Sequence, residues 1–209
     1  MIKSLQYLLQ RMPIDLGQGS FHHKTKGKRI ALALIPDRSN YASGQQPTAL
    51  DIGCNDGYYS EILKKRGYKT TSIDVFRNYE SVIIADADKT LPFPDNSFDV
   101  IWSTEVIEHL KDPNFTISEI RRMLKPEGIA VLTTPNSHFW LYPVLWTLFK
   151  ITPKQAQNQP HLQFFSIDDI RKLRPSHIYG FFPYILLKFR IARLVGPLSP
   201  TFVFSIAKK

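Results

Sequence analysis

Five short runs rich in valine, isoleucine, leucine and phenylalanine punctuate the middle of the chain: Ala49–Ile52, Thr70–Val75, Ser81–Ala85, Phe98–Ser103 and Ile129–Thr133. Near-continuous apolar runs, as opposed to apolar–polar alternation, mark strands buried on both faces. Such strands are parallel, and parallel neighbours need helical crossovers between them. The intervening segments fit that need. Tyr58–Arg66 has helical spacing and meets a stop at Gly67, and Phe115–Leu124 is amphipathic and ends at Lys125-Pro126-Glu127-Gly128. The expected architecture is an α/β domain on a mostly parallel sheet.

A chain of 209 residues corresponds to one domain with decorations. Hydrophobic residues at 43% and charged residues at 22% exclude disorder, coiled coil and collagen as whole-chain readings. The single cysteine, Cys54, rules out an intrachain disulfide and a cysteine-based zinc site. The longest uncharged apolar stretch, Phe139–Phe149, falls well short of the roughly 18 residues that a membrane-spanning helix needs. No signal peptide is read in MIKSLQYLLQRMP, so a cytoplasmic location is expected, with peripheral contact at the inner face of the membrane compatible with the charge.

Residues 1–47 read as an N-terminal helical extension or lid, with helical patterns at Leu5–Gln10 and Lys28–Ile35 and a loop over Asp37–Pro47. Residues 48–209 read as the main domain, with 136–195 as a substrate-side insertion. Within that insertion Ser166 is placed to cap a helix running to Leu173, and Thr201–Ala207 is a terminal strand.

The chemistry starts at Asp51-Ile52-Gly53-Cys54-Asn55-Asp56-Gly57, between a strand and a helix. Glycines there allow a tight turn and a close approach of backbone to ligand, and the helix start offers free N–H groups. Asp74 ends the next strand, 23 residues after Asp51. An acidic residue about 20 residues past a glycine loop can accept from ribose hydroxyls, although a capping aspartate would look the same. A dinucleotide site would need a G-x-G-x-x-G pattern, and here Asn55 stands at its second glycine.

The loop resembles motif I of class I S-adenosylmethionine-dependent methyltransferases. The resemblance continues through Asp86-Ala87, Leu91-Pro92-Phe93-Pro94-Asp95-Asn96-Ser97-Phe98-Asp99, Glu105-Val106-Ile107-Glu108-His109-Leu110, Leu124-Lys125-Pro126-Glu127-Gly128 and Thr134-Pro135-Asn136. It covers Ala49 to Asn136 and is similar to the ubiquinone-biosynthesis-type branch. It implies a Rossmann-like sheet of seven strands with the last antiparallel, an N-terminal helical extension, a lid insertion after strand five, and S-adenosylmethionine as cofactor. By the same resemblance, Asp51, Gly53, Cys54, Asn55 and Gly57 hold the methionine end and Asp74 the ribose. Val75 packs on adenine, Asp86 accepts from the adenine amino group beside Ala87, and Ser103 to Glu105 line the floor near the sulfonium. Asn55 departs from the family's glycine, but asparagine tolerates left-handed backbone.

A methyl on a sulfonium is already activated, so the protein's task is alignment of nucleophile and methyl, aided by a general base for a hydroxyl acceptor. Candidate bases are Glu105, Glu108, His109, His138 and His161, with His161 and Glu105 preferred. Glu105, Glu108 and His109 have the spacing of one helical face, for which a structural role is the alternative. Metal-dependent O-methylation is an open alternative, but no clear cluster of acidic ligands follows strand five, so no metal ligand is assigned. The aromatic Phe139–Phe149 and the basic-apolar Phe181–Leu194 fit either a lid over a lipid-like acceptor or core packing, and Pro143 and Pro183 would interrupt a long interfacial helix.

The expected reaction is methyl transfer to a small-molecule, lipid or glycan acceptor, at oxygen. The formal charge of +9 leaves room for an RNA or protein substrate. Ser103-Thr104-Glu105-Val106 replaces the tetrapeptide that exocyclic-amine enzymes carry, so nucleic acid is not favoured. A non-catalytic cofactor-binding partner protein is the third reading.

Overall fold

The computed structural model describes residues 25–40, 44–150, 152, 161–182 and 190–208. The expected helix at Leu5–Gln10, the polar loop at Lys154–Gln159 and the middle of Phe181–Leu194 lie outside the described residues.

Helix α1 (Lys26–Ala33) starts where the Thr25 hydroxyl accepts the Lys28 N–H at 3.4 Å. Then come β1 (Thr48–Ile52), α2 (Tyr58–Lys65), β2 (Lys69–Asp74), β3 (Val82–Ile84) and β4 (Phe98–Thr104). A 3₁₀ turn (Ile107–His109) leads to α3 (Pro113–Met123) and β5 (Leu124–Pro135). The chain continues through α4 (Leu141–Phe149), α5 (Ile167–Lys172), β6 (His177–Phe181), β7 (Arg190–Ile191), α6 (Val195–Leu198) and β8 (Thr201–Ala207).

These strands form one sheet in the order β3-β2-β1-β4-β5-β8-β6-β7. The first five in that order are parallel, and β8 runs antiparallel between β5 and β6. The antiparallel last strand is as expected. The sheet has eight strands and not seven, because the two-residue β7 adds an antiparallel pairing to β6 at the edge. Two residues carry no periodicity, so this strand leaves no mark in the sequence.

Both faces of the sheet are covered. On one, Leu50, Ile101, Leu132 and Phe204 pack under Ile117, Ile120 and Met123 of α3 and Ile170 of α5. On the other, Ala49, Trp102, Val131 and Val203 pack under Ile30 and Ala31 of α1 and Tyr59 and Leu63 of α2. Adjacent strand residues thus alternate between two cores, which is why the runs read as continuously apolar. Trp102 stacks on Tyr59 with ring centroids 4.5 Å apart.

Two local expectations are corrected. The helix ends at Met123, as expected before Lys125–Gly128, but that segment already belongs to β5, which starts at Leu124 and not at Ile129; its pairing with β4 shifts register between Phe98 and Val100, and Glu127 takes φ +63°. Pro143 does not interrupt α4; it lies in the helix's first turn, where no intrahelical donor is missed. Among the described residues, no helix is long and apolar enough to cross a membrane.

The chain order reverses at β1: from there it proceeds outward to β2 and β3, then returns to β4 on the other side. In such sheets a crevice opens outside the carboxyl ends of the strands at that reversal, and ligands bind there.

Candidate functional site

The segment leaving β1 turns sharply at the reversal. Gly53 and Gly57 have φ of +73° and +77°, and Asn55 between them has φ +46°. The N–H groups of Gly53 and Cys54 both donate to the Ile73 carbonyl, at 2.9 and 3.1 Å, tying the loop to β2. A Cβ at Gly53 would collide with Val106, and one at Gly57 with the Tyr79 ring. The glycines are therefore required twice, for backbone sign and for space.

Asp51 is 1% exposed and accepts from the Ser60 hydroxyl at 2.6 Å; that oxygen in turn accepts from the Ser72 hydroxyl at 2.7 Å. This chain fixes the start of α2 against β1 and β2. Burial pushes the Asp51 carboxyl up to about 7; the Ser60 bond opposes the rise and the Asp74 charge adds to it.

Asp74 sits at the end of β2. One carboxylate oxygen accepts the Asn55 N–H at 2.9 Å and the other accepts the Phe76 N–H at 3.0 Å. Val75 beside it is 52% exposed. Asp86, after β3, accepts the Asp88 N–H at 3.0 Å and pairs with Lys89 at 3.3 Å, which keeps its carboxyl below the usual range, while Ala87 is buried. The field around the loop is negative. Burial pushes the Cys54 thiol up to about 12, and the charges of Asp51, Asp74 and Asp56 push it the same way. A pyrophosphate would be repelled from such a loop, whereas an ammonium or sulfonium would be attracted.

The residues expected to line the floor stand at the end of β4. Ser103 is fully buried, and its hydroxyl has no partner among the described residues. Glu105 adopts φ +58°; its N–H donates to the Thr133 carbonyl at 3.0 Å and its carboxylate accepts the Thr133 hydroxyl at 2.8 Å. Here the single helical face expected for Glu105, Glu108 and His109 is corrected. The left-handed Glu105 precedes a three-residue 3₁₀ turn, so the three do not share an α-helix.

The fold still gathers most of the candidates. Glu108 is 1% exposed and accepts the Thr134 hydroxyl at 2.9 Å; burial, then the Glu105 charge, hold its carboxyl well above the ordinary range. The His109 and His161 rings meet edge to face with centroids 4.9 Å apart. His161 is 6% exposed, and burial with His109 lowers it to about 4, so it is neutral at pH 7. His138 is left out: it is exposed, on the turn anchored by Asn136. Sequence reasoning passed over Ser60, Thr133 and Thr134, whose hydroxyls position Asp51, Glu105 and Glu108.

Solved structures with the same fold include an S-adenosylmethionine-dependent methyltransferase from Mesorhizobium loti, at 14% identity and TM-score 0.60 over 87% of this chain and 97% of that one. A protein of Pyrococcus horikoshii OT3 matches at 17% identity and TM-score 0.60 over 97% and 99%. Among curated proteins, the 2-methyl-6-phytyl-1,4-hydroquinone methyltransferase of Synechocystis is 33% identical over 119 residues, 47% of this chain and 37% of that protein. The ubiquinone biosynthesis O-methyltransferase of Pasteurella multocida is 28% identical over 142 residues, 57% of this chain and 58% of that protein. This chain thus matches less than two thirds of the length of either. The methyltransferase-domain family profile matches residues 22–175, well over half of the chain. With the fold, the carboxylate-lined glycine loop and that match together, the chain belongs to the class I S-adenosylmethionine-dependent methyltransferases.

Proposed function

We propose that the chain transfers a methyl group from S-adenosylmethionine to an oxygen of a small aromatic or lipid-like acceptor. The observation that carries the cofactor half is the acid-lined loop locked to the end of β2 by the 2.9 Å bond from the Asn55 N–H to Asp74. The residues fit the cofactor's parts. Gly53, Cys54, Asn55 and Gly57 leave room for a methionine moiety, and the nearby carboxylates attract its ammonium. Asp74 retains lone pairs for ribose hydroxyls, Val75 offers an exposed apolar face to adenine, and Asp86 with Ala87 borders the adenine edge. The orphaned Ser103 hydroxyl and Glu105 form the floor. When bound, the cofactor supplies an activated methyl on a sulfonium.

The protein's own work is to align an acceptor oxygen with that methyl and to accept its proton. Glu105, partly exposed and fixed by Thr133, and the neutral His161 are the proposed acceptors of that proton. Residues 136–195 are proposed as the acceptor side. Their described part exposes Trp146 (50%), Leu148 (66%), Phe149 (49%) and Leu162 (58%), which suits an apolar acceptor better than RNA. The hydroquinone named for the Synechocystis relative is of that chemistry, and the Pasteurella relative is named for O-methylation in ubiquinone biosynthesis. The test is transfer of tritiated methyl to a panel of catechols, hydroquinones and prenylated phenols, beside tRNA and a peptide library. Labelling of a phenolic oxygen, lost in Asp74→Ala, is expected; labelling of tRNA or peptide alone would overturn the acceptor assignment.

A further inference from the structure

Between β2 and β3 the chain leaves the sheet over residues 75–81, and all of them are exposed except Tyr79. Tyr79 belongs to neither hydrophobic core of the sheet. It is covered by the glycine loop instead. A Cβ at Gly57 would come within 2.4–2.6 Å of three atoms of the Tyr79 ring, so the ring lies directly against the Gly57 Cα. Glycine takes positive and negative φ about equally readily, so the residue type alone does not hold the +77° turn. A rigid ring packed on the Cα does. The turn matters because it leads into α2: the Gly57 N–H donates to the Cys54 carbonyl at 2.8 Å, and the Gly57 carbonyl accepts the Glu61 N–H at 3.0 Å.

The hydroxyl keeps the ring in place. It donates to the Glu61 carboxylate and accepts from the Lys64 ammonium at 2.7 Å, while Lys64 also reaches Glu61 at 2.8 Å. Both partners stand on α2, so the ring is tied to the helix that the glycine loop begins. The same ammonium lies 5.4 Å from the ring centroid, within cation–π range. Asn78, one residue earlier, donates to the Asn55 side-chain oxygen at 3.3 Å. Glu61 and Lys64 are exposed, and exposed ion pairs add little to global stability. What this arrangement fixes is local geometry.

We propose that Tyr79 is a positioning residue for the cofactor: its ring, held by Glu61 and Lys64, keeps the glycine loop in the shape that receives the methionine end. The role rests on the cofactor placement proposed above. One segment then serves both ends of the ligand. Asp74 and Val75 begin it on the ribose and adenine side, and Tyr79 returns it to the loop on the methionine side. The two halves should therefore separate by mutation, because Asp74 keeps its own bonds to the Asn55 and Phe76 N–H groups when the ring is removed.

The test titrates the full chain, Tyr79→Phe and Tyr79→Ala by calorimetry with two ligands: S-adenosylhomocysteine, and methylthioadenosine, which lacks the amino-acid end. In Tyr79→Ala, S-adenosylhomocysteine affinity is expected to fall at least about 10-fold while methylthioadenosine affinity stays within about twofold. Tyr79→Phe keeps the ring and should bind S-adenosylhomocysteine within about threefold of the wild type. Without ligand, amide hydrogen exchange over residues 57–61 should quicken in Tyr79→Ala, with the thermal midpoint lowered by less than about 5 °C. A Tyr79→Ala protein that binds S-adenosylhomocysteine like the wild type, or that loses both ligands equally, would overturn the positioning role. So would a Tyr79→Phe protein as impaired as Tyr79→Ala, since the ring would then not be what holds the loop. Wild-type protein that binds neither ligand would overturn the cofactor placement, and the role of Tyr79 with it; wild-type binding of both with no effect of Tyr79→Ala would overturn the role alone.

Discussion

Asp74 and Asn55 are joined by a 2.9 Å hydrogen bond from the Asn55 backbone N–H to a carboxylate oxygen, so the side chain proposed to hold the ribose also sets the shape of the glycine loop. The second carboxylate oxygen takes the Phe76 N–H at 3.0 Å and fixes the turn after β2. One carboxylate thus links the two segments proposed to border the cofactor.

Asp74→Ala removes both ribose acceptors and the loop's anchor. Hydrogen bonds to a charged group contribute about 1.5–3 kcal/mol each, so S-adenosylhomocysteine affinity is expected to fall about 10- to 100-fold or more. Asp74→Asn keeps an acceptor for one partner and should fall between. Calorimetric titration of the three proteins checks the order; an Asp74→Ala protein that binds like the wild type would remove Asp74 from the site.

Asn55 holds φ +46° where the family carries glycine, and its side-chain oxygen accepts from the Asn78 amide at 3.3 Å. Left-handed backbone costs a residue with a Cβ roughly 1–2 kcal/mol, and asparagine less than most. Asn55→Gly is therefore expected to leave stability and cofactor affinity within about twofold, because relief of the backbone offsets the lost Asn78 contact. Asn55→Ala loses the contact without relief and should cost about 1 kcal/mol. Chemical denaturation of the pair checks the difference.

These two residues also show what the sequence could reveal. The loop was legible because everything that builds it is local: a buried run, glycines at turning positions, a helix start and an acid at the end of the next run. Thr201–Ala207 was legible for the same reason, as a bounded apolar run. The Glu108–His109–His161 cluster was not. His161 approaches only because two N–H groups of its loop find the Glu108 carbonyl, and no local pattern encodes a contact across that separation. The left-handed turn at Glu105 broke the helical spacing that the sequence suggested, since its cause is pairing with Thr133 on β5.

Asn136 is fully buried after β5. Its amide donates to the carbonyls of Gly196 and Ser199, and its side-chain oxygen accepts the His138 N–H at 2.9 Å. It joins the start of the segment proposed as the acceptor side to α6 and the residue after it, just before β8. Asn136→Leu keeps the volume but strands two buried carbonyls, at about 1–3 kcal/mol for each group. A loss of about 2–4 kcal/mol in urea denaturation is expected. Asn136→Asp, which can only accept, should be no better, because its oxygens would face carbonyl oxygens.

Asp51 supplies a pH dependence of definite sign. Its carboxyl is raised from an ordinary 3.8 to about 7 in the folded protein, first of all by burial. The folded state therefore binds this proton more tightly than the unfolded chain does. The stabilisation it gives is complete below about pH 4 and is lost as pH rises through about 7, the reverse of a salt-bridged aspartate. At about 1.4 kcal/mol per pH unit within that window, wild-type stability should drop by about 2–3 kcal/mol between pH 5 and pH 8 relative to Asp51→Asn. Asparagine still presents an oxygen to the Ser60 hydroxyl, so the variant keeps the bond and loses only the titration. Urea denaturation of both proteins across that range, without cofactor, gives the difference directly. Parallel curves would mean that Asp51 titrates in the folded protein as it does in the unfolded chain, and that the Ser72–Ser60–Asp51 chain stabilises the charged carboxylate fully against its burial.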